Sequence, residues 1–376
     1  MDYRSEFADF GDTVYLDVAH QAPLPRVAAR ALREAVGWKE LPHTMPGDVY
    51  FGLPDRVRSL LAQLLGVQAE EIALTTGASA GLAALAAGLD WKPGDEIVLA
   101  EGEFPAHFAS FAPLAERWQV QLKRVRPRGR FLAGAELAEA VGPRTRLVSA
   151  SLVRFHDGTR LEVEELAEAC RRTGAWLVLD VSQCAGALPL DAATLGANAL
   201  VAAGYKWLLG PYGTGFFWLR RDRMAEMRPA PFYWTALPGA REFGSLDLSP
   251  YRPGPDARRW DAPETASLNL VAWEASLAFL LRVGVETVWA HNRALLEALI
   301  ARLPVDRCVL ASPREPDRRG PYVAVAGRSP ERTRQLYEQL GAANIRVSLR
   351  EGALRIAPHL FTTADDIERL IRVLSI

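Results

Sequence analysis

The chain has 376 residues, of which 49% are hydrophobic and 24% charged, and its formal net charge is −1. These values are typical of a soluble globular protein that has room for a large domain and a smaller one. They argue against a nucleic-acid partner, because basic residues are neither in excess nor gathered into long runs.

The N-terminus and the cysteines predict a cytoplasmic protein. Residues 1–17 are acidic and lack the apolar core of a signal peptide. Residues 72–89, IALTTGASAGLAALAAGL, contain too much Gly, Ser and Thr for a membrane span. Three scattered cysteines without a CxxC motif indicate a reducing compartment and no disulfide framework.

Short apolar segments alternate with stretches of helical periodicity between about residues 70 and 220. A helix is predicted in EVEELAEACRRTG, where Gly174 marks its end. Apolar strands joined by helices predict an α/β fold, with a mostly parallel sheet that carries helices on both faces. The predicted strands are EIALT (71–75), DEIVLAEGEF (95–104), TRLVSASLV (145–153), AWLVLDVS (175–182), NALVAAGY (198–205) and GTGFFWL (213–219).

The second half of the chain predicts a smaller unit. Residues 229–263 are rich in Pro, Gly and aromatic residues, which favours a long ordered excursion over a flexible linker. Two long helical patterns follow in residues 266–303, and then a short α/β unit. We therefore predict a large domain of residues 21–272 and a small domain formed by residues 1–20 and 273–376.

Lys206 stands among small, apolar and aromatic residues just after a predicted strand. A lysine in such a place is often a surface residue at a strand edge. However, Asp180 ends the apolar segment WLVLD one crossover earlier, and open α/β sheets bind ligands at the carboxyl ends of their strands. A buried lysine amine can form a Schiff base, and a buried carboxylate can keep a pyridine nitrogen protonated. The pair therefore predicts pyridoxal phosphate (PLP) as the cofactor.

Three further features fit this cofactor, and each has a structural alternative. Gln183 can bond the phenolic oxygen of PLP, or it is a loop amide that bonds backbone. Residues 76–79 follow a strand and begin a helix, where a phosphate is favoured, although a small-residue turn that merely packs is equally consistent. Phe104 can lie on the cofactor ring, or it belongs to the core. The turn is neither a GKS/GKT loop nor GxGxxG, which argues against nucleotides.

Together these residues resemble the class V aminotransferase family of fold-type I PLP enzymes. This group takes in cysteine desulfurases, kynureninases, isopenicillin N epimerase-like proteins and several transaminases. The resemblance runs from YLDVAHQAPLP (15–25) to LRIAPHLFTTADDIERL (354–370). It is most specific in residues 177–217, which hold Asp180, Gln183 and Lys206 in the order of the family signature.

The resemblance implies a role for each site residue. Lys206 would carry the cofactor as a Schiff base and move the proton, and Asp180 would pair with the ring nitrogen. The other cofactor contacts implied are Gln183 at the phenolic oxygen, Phe104 on the ring, and Ala78, Ser79 and Tyr205 at the phosphate. The family also implies a homodimer with active sites at the interface, in which Thr265 would reach the partner's phosphate.

Substrate contacts are less defined. Arg355 matches the arginine that grips a substrate carboxylate, because a guanidinium binds carboxylate bidentately. Its alternative is an ion pair with Asp365 or Asp366. Further candidates for the pocket, each of which is equally a packing residue, are His20, Trp234 and His359, with His107 and His156 nearby.

The expected reaction is aminotransferase-like chemistry at Cα of an amino acid or a related amine. Alternatives are an isopenicillin N epimerase-like epimerase and a kynureninase-like lyase. A non-catalytic binding protein that keeps the fold is a third, against which the intact Lys206 and Asp180 argue. Desulfuration is disfavoured, because residues 346–358 contain no cysteine and Cys184 is expected to pack. No spacing of His, Cys or carboxylates predicts a metal.

Overall fold

A computed structural model describes residues 3–228, 233–242, 244, 245, 247, 249, 252–262 and 267–376. Its strands, in chain order, are β1 (Val14–Tyr15), β2 (Ile72–Thr75), β3 (Glu96–Ala100), β4 (Gln121–Val125), β5 (Thr145–Ser151), β6 (Trp176–Asp180), β7 (Ala199–Ala203), β8 (Gly215–Leu219), β9 (Cys308–Leu310), β10 (Val323–Gly327), β11 (Ile345–Arg346), β12 (Ser348–Arg350) and β13 (Ala353–Ile356). The α-helices are α1 (Arg26–Glu40), α2 (Gly52–Leu65), α3 (Ala78–Gly88), α4 (Pro105–Trp118), α5 (Gly134–Ala140), α6 (Glu164–Thr173), α7 (Ser267–Val283), α8 (Val285–Ala301), α9 (Pro330–Ala342) and α10 (Ala364–Leu374).

The large sheet has seven strands in the order β2-β8-β7-β6-β5-β3-β4. Strand β8 runs antiparallel to both of its neighbours, and the remaining pairs are parallel. The central strands β6 and β7 are buried along their whole length, which is why their sequences are apolar without alternation. The prediction of a mostly parallel sheet flanked by helices is confirmed.

The register of the sheet aligns the carboxyl ends of its central strands. Ser151 at the end of β5 pairs with Asp180 at the end of β6, and Asp180 pairs with Val201 in β7. Side chains that follow these three strands therefore meet at one edge. The helix predicted before Gly174 is α6, and Gly174 ends it in a left-handed conformation with φ 76°.

The C-terminal unit is built on an antiparallel sheet of the order β12-β13-β10-β9. The N-terminal segment joins it, because β1 pairs with β11 in parallel and Asp17 forms a bridge with Ala357. Val14 and Leu16 belong to the same apolar cluster as side chains of α8, α9 and α10. The boundaries predicted for the two domains stay a prediction.

Helices α7 and α8 form a bent pair whose axes meet at 76°. Within the described residues, this pair is the one that meets the length and composition expected of a membrane-crossing segment, and no helix does so by itself.

Candidate active site

A cavity opens at the carboxyl edge of the large sheet. Strand ends and the turns after them supply one part of its wall, and the starts of two helices supply another. The first group is Ser151, Phe155, Asp180, Ser182, Gln183, Ala203, Tyr205 and Lys206. The second group is Thr76, Gly77, Ala78, Ser79 and Ala80 at α3, with Phe104 and Ala106 at α4.

Lys206 lies in the turn after β7 and is only 8% exposed. Burial lowers the pKa of its amine from 10.5 to about 8, an effect that Asp180 opposes and Arg355 reinforces. All four lysines of the sequence lie in the described part of the chain, and Lys206 is the buried one. An amine with this pKa is partly neutral near neutral pH, so it is available as a nucleophile or a base.

Asp180 is buried at the end of β6, and both of its carboxylate oxygens have polar neighbours. Its Oδ1 accepts a hydrogen bond of 2.7 Å from the backbone N–H of Ser182, and its Oδ2 lies 3.8 Å from Nε2 of His107. The other ring nitrogen of His107 lies 2.7 Å from Oγ of Ser149. His107, named as a residue near the pocket, therefore lies behind Asp180 and does not line the cavity.

Gln183 lines the cavity, and its amide bonds neighbours on two sides. Nε2 donates to the carbonyl of Ala19 at 3.0 Å, and Oε1 accepts from the indole N–H of Trp207 at 3.1 Å. One N–H of the amide is left for a ligand in the cavity. Gln183 thus bonds backbone, as one sequence interpretation expects, and it also lines the cavity. Its bond to the phenolic oxygen of PLP stays a prediction.

The start of helix α3 has the features of an anion site. Gly77 precedes the helix with φ 153°, a backbone conformation that other residues rarely adopt, and a Cβ there would meet nothing within 4 Å. The first N–H groups of a helix have no partner inside the helix and carry a partial positive charge. Ala78 and Ser79 supply these groups to the cavity, as expected for a phosphate site.

Aromatic rings surround the amine. The ring centroid of Phe104 lies 5.4 Å from Nζ of Lys206, and that of Tyr205 lies 5.8 Å from it. Phe155 meets Phe104 edge to face at 5.4 Å. Phe104 is 38% exposed, so its face is open to a flat ligand and the core alternative for it is wrong.

Arg355 lies on β13 and is 3% exposed. Its Nη1 donates to the carbonyl of Phe155 at 2.9 Å, and its Nη2 lies 3.6 Å from the carboxylate of Asp17. The alternative of an ion pair with Asp365 or Asp366 is wrong, because the acidic partner of Arg355 comes from the N-terminal segment.

Neither Arg355 nor the other substrate candidates are among the residues that line this cavity. His20 is exposed in a turn, and His156 pairs with Asp157 beside a different cavity. Trp234 stacks on Tyr50 at 6.1 Å and does not line this cavity. Thr265 lies outside the described residues.

His359 is fully buried, and the expectation that it lines the substrate pocket is not met. Its ring stacks on Trp207 at 5.9 Å and on Phe361 at 5.9 Å. Burial, with a smaller effect of His291, lowers the pKa of His359 from 6.5 to about 3. It is therefore a neutral ring beneath the site.

Sequence reasoning missed Ser151, Phe155 and Ser182 as lining residues. Ser151 ends β5 as Asp180 ends β6, so the strand-end argument applied to every strand would have found it. Ser182 also ties two strands together, because its Oγ accepts from the N–H of Ala203 at 2.9 Å.

The three cysteines, Cys170, Cys184 and Cys308, are free and buried. Burial raises the pKa of all three thiols above the ordinary value, to about 12 for Cys170. Within the described residues, no group of three or more His, Cys, Asp or Glu side chains is arranged to hold a metal ion.

The cavity holds the chemical groups that PLP requires, so the residues present fit this cofactor. Lys206 supplies an amine, Asp180 a carboxylate for the ring nitrogen, and Gln183 an N–H for the phenolic oxygen. The start of α3 supplies a phosphate site, and Phe104 supplies an aromatic face. This combination on a mostly parallel α/β sheet defines a fold-type I PLP enzyme.

Comparison with known proteins identifies the family. The sequence profile named Aminotransferase class-V matches residues 14–370, so the chain belongs to the class V aminotransferase family and is a PLP-dependent enzyme. It is 28% identical to isopenicillin N epimerase of Streptomyces clavuligerus, with 95% of this chain and 93% of that protein aligned. It is 26% identical to a probable cysteine desulfurase of Methanothermobacter thermautotrophicus, over 80% of this chain and 74% of that protein.

Solved structures share the fold. A cysteine desulfurase of Thermococcus onnurineus NA1 superposes with a TM-score of 0.86 at 19% identity, covering 100% of this chain and 96% of the other. The cystine C–S lyase C-DES, in complex with its product cysteine persulfide, superposes with a TM-score of 0.87 at 24% identity, covering 96% of this chain and 97% of the other.

Proposed function

We propose that this enzyme binds an amino acid or a related amine, removes a proton from Cα, and uses Lys206 as the base. One observation carries the proposal. Lys206 is a buried amine whose pKa is lowered to about 8, and it shares a cavity with Asp180, Gln183 and the start of α3.

Each residue of the site has a separate role in this reaction. When bound, PLP supplies a ring that takes up the electrons released as a bond at Cα breaks. Asp180 keeps a proton on the ring nitrogen, and its burial strengthens that attraction because little water screens it. Nζ of Lys206 takes the Cα proton and returns it. Arg355 orients the substrate through its carboxylate, if one is present.

We propose an aminotransferase-like reaction, in which Lys206 would return the proton to bound PLP and not to Cα. Return to Cα, as in an isopenicillin N epimerase-like reaction, is the second candidate, which the 28% identity to that epimerase favours. A kynureninase-like lyase is a third outcome of the test below.

Cysteine desulfurases are prominent among the similar proteins, so the family comparisons do not disfavour that reaction. The observation against a thiol-based desulfuration lies in this chain. Each of its three cysteines is buried with a raised pKa, whereas a persulfide-forming cysteine has to be reachable as a thiolate.

The proposal includes a homodimer located in the cytoplasm, in which Thr265 reaches the partner's cofactor. It rests on the family and on the absence of a CxxC motif from the sequence. Size-exclusion chromatography with light scattering measures the subunit number, and a monomer that retains full activity would contradict the shared site.

The first experiment is the visible spectrum of the purified protein reconstituted with PLP. Lys206→Ala should lose the band of the lysine-bound cofactor, whereas Lys123→Ala, at an exposed lysine, should keep it. Borohydride reduction of the C=N bond followed by peptide mapping should place the label on Lys206. A label on another lysine, or none, would refute the role of Lys206.

Amino acids are then added to the PLP-loaded protein. Conversion of the band to that of the pyridoxamine form, with release of a keto acid, supports the aminotransferase. Loss of optical activity of the amino acid with an unchanged band supports the epimerase instead, and release of a side-chain fragment supports the lyase.

A further inference from the structure

Two neighbours fix which way the amide of Gln183 points. The indole N–H of Trp207 lies 3.1 Å from Oε1 of Gln183, and the carbonyl of Ala19 lies 3.0 Å from Nε2. An indole nitrogen can only donate, and a backbone carbonyl can only accept. The reverse orientation would set donor against donor and acceptor against acceptor, so the amide has one satisfied orientation. In this orientation, Nε2 keeps one free N–H, and Oε1 already accepts the hydrogen bond from Trp207.

Trp207 is itself held by the C-terminal part of the chain. It is fully buried, and its ring stacks with Tyr322 at 6.4 Å and with His359 at 5.9 Å. It also directly follows Lys206 in the sequence, so the turn that carries the amine carries the donor to Gln183 as well. The indole therefore has little freedom to leave this hydrogen bond.

We propose that Trp207 is a positioning residue that makes Gln183 a hydrogen-bond donor toward the phenolic oxygen of PLP. The inference rests on the proposed function, in which Lys206 carries the cofactor. Trp207 acts through Gln183 and does not line the cavity itself.

The consequence is a shift in a measurable pH midpoint. A donor at the phenolic oxygen stabilises its negative charge and weakens the hold of that oxygen on the proton of the neighbouring Lys206 nitrogen. Without Trp207, the carbonyl of Ala19 alone holds the amide in this orientation. The N–H of Gln183 then donates to the phenolic oxygen less effectively, and the proton on the lysine nitrogen is held more tightly. The pH at which half of the visible band has changed should then rise.

The test is a pH titration of the visible spectrum of the PLP-loaded protein. Trp207→Phe keeps a buried ring and removes the N–H, and we expect it to raise the midpoint by about 0.5 to 1 pH unit, the worth of one neutral hydrogen bond. The titratable groups that act on the same nitrogen are Asp180, Tyr205 and Arg355, and they are unchanged in the variant. Trp207→His, which restores a ring N–H, should bring the midpoint back toward that of the parent protein.

Trp176→Phe is the matched control. Trp176 is equally buried and also donates its indole N–H to a side chain, Glu226 at 3.3 Å, but it begins β6 at the end opposite Asp180. Trp176→Phe should therefore leave the pH midpoint of the visible band unchanged. A double-mutant cycle then separates positioning from general packing. If Trp207 acts through the amide, Trp207→Phe should add no further shift in a Gln183→Ala background.

Two results would overturn the inference: a midpoint in Trp207→Phe equal to that of the parent protein, or an undiminished shift in the Gln183→Ala background. If Trp207→Phe does not fold, ¹⁵N NMR of the indole groups replaces it. Gln183→Ala should move the Trp207 signal and leave that of Trp176 in place, and an unmoved Trp207 signal refutes the bond. Absence of the lysine-bound band from the parent protein would instead refute the proposed role of Lys206.

Discussion

The carboxylate of Asp17 lies 3.6 Å from Nη2 of Arg355, although 338 residues separate them in the sequence. Ser348 connects the two, because its hydroxyl donates to Asp17 and its oxygen lies 3.3 Å from Nη2 of Arg355. With the bond from Nη1 to the carbonyl of Phe155, these contacts orient a guanidinium that is 3% exposed. The N-terminal segment thus supplies the countercharge for the proposed carboxylate-binding arginine.

Asp17→Asn should weaken substrate binding more than turnover. The amide keeps an acceptor for Ser348 but removes the charge that holds Arg355, so we expect KM for an amino acid to rise about tenfold, while kcat changes less. Binding of the corresponding amine without a carboxylate should change little. Titration of the visible band measures binding of the amino acid and of the amine, and steady-state kinetics give KM and kcat.

The matched control for this prediction is Asp12→Asn, which removes an exposed ion pair with Arg369 at 3.1 Å. It should leave KM unchanged, because exposed pairs contribute little. Equal weakening of the amino acid and of the amine in Asp17→Asn would show that Asp17 acts on the fold in general and not through Arg355.

Lys206 should give the cofactor-free protein a distinctive stability profile. Its folded pKa of about 8 lies below the ordinary 10.5, so below pH 8 both states carry the proton and the folded state bears the full cost of a buried charge. Between pH 8 and 10.5 the folded state loses the proton while the unfolded state keeps it, so stability rises with pH, by about 3 kcal/mol at most. Urea denaturation across this range measures the rise.

Lys206→Met should flatten that rise and be more stable than the parent protein below pH 8. Lys123→Met, at a side chain that is 46% exposed, should keep the slope of the parent protein. The same slope in Lys206→Met as in the parent would mean that other groups titrate there and that the amine is not desolvated.

His359→Phe should make the protein less sensitive to acid. Both ring nitrogens of His359 are buried without a hydrogen-bond partner, so a phenyl ring satisfies the site at least as well at neutral pH. Below pH 6.5 the ring of His359 is protonated in the unfolded state but stays neutral in the folded state, where its pKa is about 3. The parent protein therefore loses stability as the pH falls. At pH 4, this loss amounts to about 3 kcal/mol of the free energy of unfolding of the parent protein, and His359→Phe should not show it.

Urea denaturation at pH 4 to 7 is the measurement, with His20→Phe at an exposed histidine as the control, which should follow the parent protein. If His359→Phe instead lost the visible band of the cofactor while staying folded, the ring would serve the cofactor directly, contrary to its buried position.

The sequence identified the part of the site that depends on local rules. Asp180 was found from an apolar strand that ends in a carboxylate, and residues 76–79 were found from a strand, a Gly turn and a helix. Both signals lie within a few residues, so no tertiary information was needed to read them.

Residues whose role depends on distant partners were misjudged. The sequence offers Asp365 and Asp366 as nearby partners for Arg355, but pairing of β1 with β11 brings Asp17 to it. His359 follows a strand and resembles a pocket residue, whereas packing against Trp207 and Phe361 buries it. Neither arrangement leaves a periodic or local pattern in the sequence.

Gly77→Ala should weaken PLP binding. The φ of 153° at Gly77 is strained for a residue with a Cβ, while a Cβ there would meet nothing within 4 Å, so the cost is one of backbone conformation and not of collision. The chain would relieve it by turning the first N–H groups of α3 away from the phosphate. We expect the Kd of PLP to rise about tenfold, measured by titration of the cofactor-free protein with PLP.

Gly94→Ala separates this effect from a general loss of stability. Gly94 also has a positive φ, of 87°, and a Cβ there would likewise meet nothing within 4 Å, but Gly94 does not line the cavity. The substitution should destabilise folding to a similar extent and leave the Kd of PLP unchanged. Because inorganic phosphate competes only at the phosphate site, it should also bind Gly77→Ala more weakly and Gly94→Ala normally. Normal binding of both PLP and phosphate by Gly77→Ala would show that the start of α3 is not the phosphate site.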